Sequence, residues 1–406
     1  MRNGFRGFVL AAICALVACS SGGPVMPASN GASIPAAIEA ERSIWSVVSS
    51  PNEPPGSGGY DDTLWAVSGA SASDVWAVGN YCCYVVGSKL YYEPLIEHWN
   101  GSVWSIVPGA SDAPNGTMLR GVAAISGNDV WVVGGAVQAV FEHWNGTQWS
   151  IVSSPYFDYG AQMNAIVAVS KNNVWAAGEG DYAAVLEHWD GNTWTYVPAY
   201  TYGGLTILNA ISASGANDIW AVGEYWSYPD QHSFAEHWNG AAWSYEQPVS
   251  SWIDQLNGVV AISPASAWAV GYADASDQNQ VPQTLIEHWN GSQWSRVQSP
   301  NKDPKAYDLD NELYSVTARS PNDIWAVGYW TWLTGDGTSR SLFVHWNGKA
   351  WKTEPGPPAL ESSNNAAFNQ LLGIVKLRTG QLWAVGSQAV PHQCCAHTLT
   401  VTTAGN

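Results

Sequence analysis

Residues 142–155 read EHWNGTQWSIVSSP, and the chain nearly repeats this stretch. The copies are EHWNGSVWSIVP at 97–108, EHWDGNTWTYVP at 187–198, EHWNGAAWSYEQP at 236–248, EHWNGSQWSRVQSP at 287–300 and VHWNGKAWKTEP at 344–355. Near the start stands only the second half, IWSVVSSP at 44–51. One copy lacks its front half, and where that half lies decides the fold.

A second motif recurs seven times: DVWAVG at 74–79, DVWVVG at 129–134, NVWAAG at 173–178, DIWAVG at 218–223, SAWAVG at 266–271, DIWAVG at 323–328 and QLWAVG at 381–386. Its tryptophans are Trp76, Trp131, Trp175, Trp220, Trp268, Trp325 and Trp383, spaced 44 to 58 residues apart. A period of roughly 40–50 residues with insertions is that of a β-propeller blade. In the second unit, LRGVAAI (119–125), VWVVGG (130–135), AVFEHW (139–144) and TQWSIVSS (147–154) read as four short strands. SGND joins the first two, Asn145-Gly146 suits a two-residue type I′ hairpin, and Pro155 stops the fourth. The seventh unit ends in HTLTVTTAGN (397–406), which aligns with QTLIEHWNGS (283–292) and stops where a fourth strand is due. The orphan segment 44–50 supplies that strand and closes the ring, because an open ring would expose sheet edges. The expected fold is all-β: a single seven-bladed β-propeller of four-stranded antiparallel blades over residues 44–406.

The repeat resembles kelch-type propeller repeats of bacterial chains. Gly134-Gly135, Trp144 and Trp149 match the kelch pattern in blade two, whereas other blades keep one glycine, as at Gly79 or Gly328. The segment HWDGNTW (188–194) resembles the Asp-box turn of bacterial sialidases. These resemblances imply fold far more than function. A galactose-oxidase-like copper site has no matching Cys/Tyr/His constellation. A sialidase-like arginine cluster is not evident either, since Arg120 and Arg319 fall in strand or turn register among few arginines.

At the N-terminus, Arg2 and Arg6 precede the apolar run GFVLAAICALVA, and LVACSSGG follows. Leu16-Val17-Ala18 before Cys19 resembles the lipobox of bacterial lipoproteins. The resemblance implies a signal peptide over 1–18, cleavage before Cys19, lipidation of its thiol, and a flexible tether over 19–43. The expected location is that of an exported, membrane-anchored lipoprotein, periplasmic or at the cell surface, touching the membrane through its lipid only. The formal net charge is −18. Such acidity disfavours nucleic acid and anionic lipid.

Repeated residues serve the repeat. His98, His143, His188, His237, His288 and His345 are read as intrablade hydrogen-bond partners rather than a metal ring, and Asp74, Asp129, Asp218 and Asp323 as Asx-turn acceptors. The recurrent tryptophans should pack between blades, each burying about 150–250 Å². Cys82-Cys83 and Cys394-Cys395 lie in strand-two-to-three connections of blades one and seven. They are candidates for disulfides stapling the closure, with vicinal disulfides or a zinc site using His392 and His397 as alternatives. No cofactor is expected; DLDNE (308–312) makes only a weak calcium loop.

The long connections, between strands two and three and between blades, share one face. They carry Tyr84, Tyr92, Tyr156, Asp158, Tyr159, Tyr202, Trp226, Tyr228, Trp252, Asp254, Tyr307, Asp308, Trp330 and Trp332. Aromatics beside acids suit a glycan or a protein interface. The expectation is a monomeric, non-enzymatic binding module for a glycan or envelope protein. A carbohydrate-active enzyme using acids such as Asp158 and Asp308, or an envelope assembly scaffold, is the alternative.

Overall fold

The computed structural model describes residues 43–52, 61–86, 89–114, 116–135, 138–155, 161–200, 202, 204–227, 229–249, 253–274, 281–302, 309–332, 339–361, 368–389 and 396–404. Of residues 82–86, 89–91, 309, 332 and 361 only the backbone is described.

These residues form seven four-stranded antiparallel sheets. Blade 1 is Thr63–Ser71, Asp74–Val86, Lys89–Trp99 and Trp104–Ile106; blade 2 is Met118–Ser126, Asp129–Gly135, Ala139–Trp144 and Trp149–Ile151. Blade 3 is Gln162–Ser170, Asn173–Gly180, Ala183–Trp189 and Trp194–Val197; blade 4 is Thr206–Gly215, Asp218–Ser227, Asp230–Trp238 and Trp243–Tyr245. Blade 5 is Asp254–Ser263, Ser266–Asp274, Pro282–Trp289 and Trp294–Arg296; blade 6 is Leu309–Ser320, Asp323–Trp332, Ser339–Trp346 and Trp351–Glu354. Blade 7 takes Asn369–Lys376, Leu382–Ala389 and Ala396–Thr403 from the C-terminal end and Trp45–Val48 from the other. Each first strand touches the first strands of its two neighbours around the full circle, so the first strands line the centre.

The closing strand pairs Trp45 with Thr403 and Val48 with Thr400. Arg319 of blade 6 adds a pin, donating to the Gly380 carbonyl at 2.7 Å and to Thr403 Oγ1 at 3.1 Å.

The tryptophans explain why the blades stack. Trp131 lies against Trp189 and Trp194 of the next blade at 4.9 and 5.3 Å. The same trio recurs as Trp76 with Trp144 and Trp149, Trp175 with Trp238 and Trp243, Trp220 with Trp289 and Trp294, and Trp268 with Trp346 and Trp351. Trp383 of blade 7 meets Trp99 and Trp104 of blade 1, and Trp325 of blade 6 meets Trp45 at 5.6 Å. Such offset and edge contacts use the ring quadrupole as well as apolar burial.

Each histidine holds its own blade. His98, His143, His237 and His345 bond Asp74, Asp129, Asp218 and Asp323 at 2.7–2.9 Å. His188 uses Asn173 and His288 uses Ser266. In blade 7 a Gln381–Thr402 bond at 3.1 Å takes the same place. The imidazoles lie 4.2–4.4 Å from the strand-two tryptophans.

Three local expectations need correction. The aspartates are not Asx-turn acceptors: Asp74 and Asp323 accept the indole N–H of Trp76 and Trp325, and the turns are capped by Ser71, Ser126, Ser170 and Ser320. Asn145-Gly146 is not a type I′ pair, because only Gly146 has positive φ and Trp144 pairs with Trp149 across four loop residues. There Asn145 Oδ1 accepts the N–H groups of Thr147 and Gln148, and Asp190 does the same in blade 3. Finally, much of what reads as loop is strand. Blade 1 runs on to a Val86–Lys89 pair, blade 4 to Ser227–Asp230, and blade 6 to Leu309–Trp332. Long hairpins satisfy backbone groups that a loop would leave to water.

Candidate functional site

The glycine of each WAVG motif sits where no side chain fits. A Cβ at Gly79, Gly134, Gly178, Gly223, Gly271, Gly328 or Gly386 would lie 1.8–2.0 Å from a first-strand carbonyl oxygen. Opposite it, every first strand carries a bulge. The bulged residues are Trp65, Arg120, Asn164, Asn209, Asn257, Tyr314 and Leu372. Bulges re-aim side chains and gather near functional sites. Here they form an inner ring, and the residues just after the glycines form a second: Asn80, Gly135, Glu179, Glu224, Tyr272, Tyr329 and Ser387.

Part of the ring is structural. Asn164, Asn209 and Asn257 donate to the carbonyls of Leu208, Leu256 and Leu313 in the next blade at 2.9–3.1 Å. The rest is polarised. Arg120 lies over the Trp65 ring at 4.1 Å, and Trp65 donates to Asn80 Oδ1 at 2.7 Å. The Arg120 Nε is buried without a hydrogen-bond partner among the described residues. Burial lowers its pKa to about 10, partly opposed by Tyr314, Glu179 and Tyr92.

Acids face it across the ring. Glu312 accepts from Tyr314 at 2.9 Å and Tyr329 at 3.2 Å, and burial holds its pKa up. Gln255 Oε1 accepts from Gln231 and from Tyr272, each at 3.0 Å, and Gln231 also donates to Glu224. Burial, then the charge of Glu179, pushes Glu224 to about 8. Burial, then Glu312 and Asp274, pushes Asp310 to about 7. Glu179 and Asp274 are raised by burial as well. Clustered perturbed groups in a concave site are a functional signature. Among the described residues no three His, Cys, Asp or Glu side chains converge as a metal site.

At the same end of blades 3 and 4 stands a group of tyrosines. Tyr202 stacks on Tyr225 at 4.5 Å, Tyr200 on Tyr245 at 5.2 Å, and Tyr200 lies 6.0 Å from Tyr202. Glu224 and Tyr225 are successive residues of one strand, so their side chains point to opposite faces of blade 4.

Of the residues singled out by sequence, Tyr202 belongs to this group, and Tyr92 lies near Arg120. Trp226 donates its backbone N–H to Leu205, beside the Tyr202 connection. Trp330 is half-buried against the core between blades 5 and 6. Asp254 departs from the expectation of an exposed acid: it is fully buried, accepts the Ser233 N–H at 2.8 Å and pairs with Arg296 at 3.3 Å, so it ties blade 5 to blade 4. For Tyr84, Trp332, Cys82 and Cys83 only backbone is described; Cys19, Tyr156, Asp158, Tyr159, Tyr228, Trp252, Tyr307, Asp308, Cys394 and Cys395 lie outside the described residues. Sequence reading missed the channel residues. Their signal was positional: the slot after the WAVG glycine reads Asn, Gly, Glu, Glu, Tyr, Tyr, Ser within an otherwise constant frame.

The fold and its central site define a seven-bladed β-propeller. No family model matches the chain, and no curated protein matches it in sequence. Solved structures do match. One described as YCF48 bound to D1 peptide is 13% identical with TM-score 0.55, covering 90% of this chain and 98% of that one. YCF48 from Cyanidioschyzon merolae is 11% identical with TM-score 0.53, covering 88% and 98%. Sqt1 from Chaetomium thermophilum is 12% identical with TM-score 0.50, covering 86% and 98%. At these identities the likeness shows the fold.

Proposed function

We propose that this chain is a non-enzymatic binding module that holds an envelope protein over the mouth of its central channel. In this reading the blades are a kelch-like variant, residues 1–18 are a signal peptide, and Cys19 is lipidated at the head of a 19–43 tether. The observation that carries the reading is the inner ring, where a bulge sets Arg120 over Trp65 and the positions after the motif glycines bring Glu179 and the buried Glu224 to the same end. A scaffold gains nothing from aiming polar groups at one place, whereas a binding site does. The similar propeller described as bound to a peptide supports a polypeptide ligand over a glycan.

The test is a screen of the full chain on peptide and glycan arrays, with Arg120→Ala and Glu224→Gln as comparisons. A peptide hit weakened at least tenfold by either substitution is the expected result. Hits indifferent to both substitutions would show that the ligand binds away from Arg120 and Glu224. One observation favours a second reading, a glycoside hydrolase: burial raises Glu224 to about 8 and Asp310 to about 7, so Glu224 keeps its proton at neutral pH as a general acid requires. Release of nitrophenol from chromogenic glycosides, lost in Glu224→Gln, would establish that reading instead.

A further inference from the structure

The hairpin between Gly180 and Ala183 turns through Asp181 and Tyr182, with φ of +48° and +66°. Both central residues are left-handed, as a type I′ turn demands. The position of Tyr182 suits glycine, and a bulky residue there is an outlier that asks for a reason. Burial is not the reason, because Tyr182 is 79% exposed.

Its backbone is tied to a neighbouring pair of tyrosines. Thr206 donates its N–H to the Tyr182 carbonyl at 3.2 Å, and its hydroxyl accepts the Tyr202 N–H at 3.5 Å. One buried threonine thus ties the Tyr182 turn to the Tyr202 connection. Tyr200 and Tyr202 are 46% and 43% exposed, and their other faces rest on Tyr245 and Tyr225. The Tyr200 and Tyr202 rings are thus already fixed by stacking, so they lose little rotamer entropy on binding, and the Tyr182 backbone is tied beside them.

Charge selects among ligands for such rings. Between Arg120 and Arg296 the chain carries sixteen Asp and Glu residues and one basic residue, Lys171. Burial raises Glu142, Glu187, Glu224, Glu236 and Glu287 to about 7–8, so the field comes from the other acids. Lys171 occupies the turn between the first two strands of blade 3, at the opposite end from the Tyr182 turn. Asp181 adjoins Tyr182, Asp230 closes the blade 4 hairpin, and Glu246 follows Tyr245. Aromatic faces attract cations, and an acidic field steers them in.

We propose that Tyr182, Tyr200 and Tyr202 form a docking platform for a basic polypeptide segment, whose arginine or lysine side chains lie on the ring faces. The proposal rests on reading this end of the propeller as its ligand-binding face, and it names the ligand class.

The experiment measures fluorescence anisotropy of three labelled dodecapeptides, one Arg/Lys-rich, one Glu-rich and one neutral, plus labelled dextran, against the full chain. Variants are Tyr182→Ala, Tyr202→Ala, Tyr182→Gly, and Tyr196→Ala as an exposed control on an outer strand. The expected result is binding of the basic peptide alone, weakened by salt. Tyr182→Ala and Tyr202→Ala raise Kd about tenfold and Tyr196→Ala leaves it unchanged. Tyr182→Gly binds as weakly as Tyr182→Ala yet melts at a higher temperature, which separates lost contact from lost fold. Basic-peptide binding that ignores every tyrosine would overturn the proposal as bulk charge attraction. Tyrosine-dependent binding of dextran or the neutral peptide would overturn it too, while leaving the binding face in place. No binding by any probe would also count against it.

Discussion

At the residue scale, the repeated motifs are explained by one contact within each blade and one between neighbouring blades. The Asp or Asn before the strand-two tryptophan receives histidine across its blade, while the tryptophan itself reaches the next blade. The motif glycine is explained by the bulge opposite. Gly223→Ala would push a Cβ to within 1.9 Å of the Ile207 carbonyl oxygen. That substitution should cost about 2–4 kcal/mol in urea unfolding. Gly215, in the same first strand, has nothing within 4 Å of its Cβ position. Gly215→Ala should therefore be neutral or stabilise by about 0.4–1 kcal/mol. Equal losses at the two sites would show that the bulge does not set the requirement.

At the element scale, the glutamate opening three of the EHW copies latches a blade to the connection before it. Glu142 accepts the Ala110 N–H at 2.8 Å, Glu236 the Tyr200 N–H at 3.1 Å, and Glu287 the Val249 N–H at 3.0 Å. All three are fully buried, as are Glu97 and Glu187. Burial raises Glu142 and Glu287 to about 7 and Glu187 and Glu236 to about 8. A carboxyl with a raised folded-state pKa binds its proton more tightly folded than unfolded. Its contribution is thus complete below the unfolded value near 4.5 and is lost as pH rises through 7 to 8. The melting temperature should fall by roughly 5–10 °C between pH 5 and pH 8.5. Glu187→Gln with Glu236→Gln should flatten that fall, since the amide keeps an acceptor and never ionises. A flat wild-type profile would mean these carboxyls are not titrating inside the fold. The glutamate latch could not be read from sequence, because its partners are backbone N–H groups of a preceding connection.

At the scale of the whole molecule, the ring is held shut by four residues from the far end of the chain. Trp45 is 2% exposed and fills, between blades 6 and 7, the place that strand-four tryptophans fill elsewhere. Trp45→Ala should cost about 3–5 kcal/mol by opening a cavity at the seam. Moving residues 41–52 to follow Asn406 should restore a stable ring, because the strand is needed in space and not at one end of the chain. If Trp45→Ala melted like wild type, closure would not depend on this strand.

Sequence by itself determined the count of blades, the strand order within each and the origin of the closing strand. Those features rest on local alternation, turn residues and periodic tryptophans, which every copy states again. The intrablade histidine pairs were legible for the same reason. Only the tertiary structure decided the channel mouth and the tyrosine platform. Arg120, Glu179, Glu224 and Glu312 stand in four different blades. Nothing in one repeat marks them, because their common address exists only when seven bulged first strands meet around one axis.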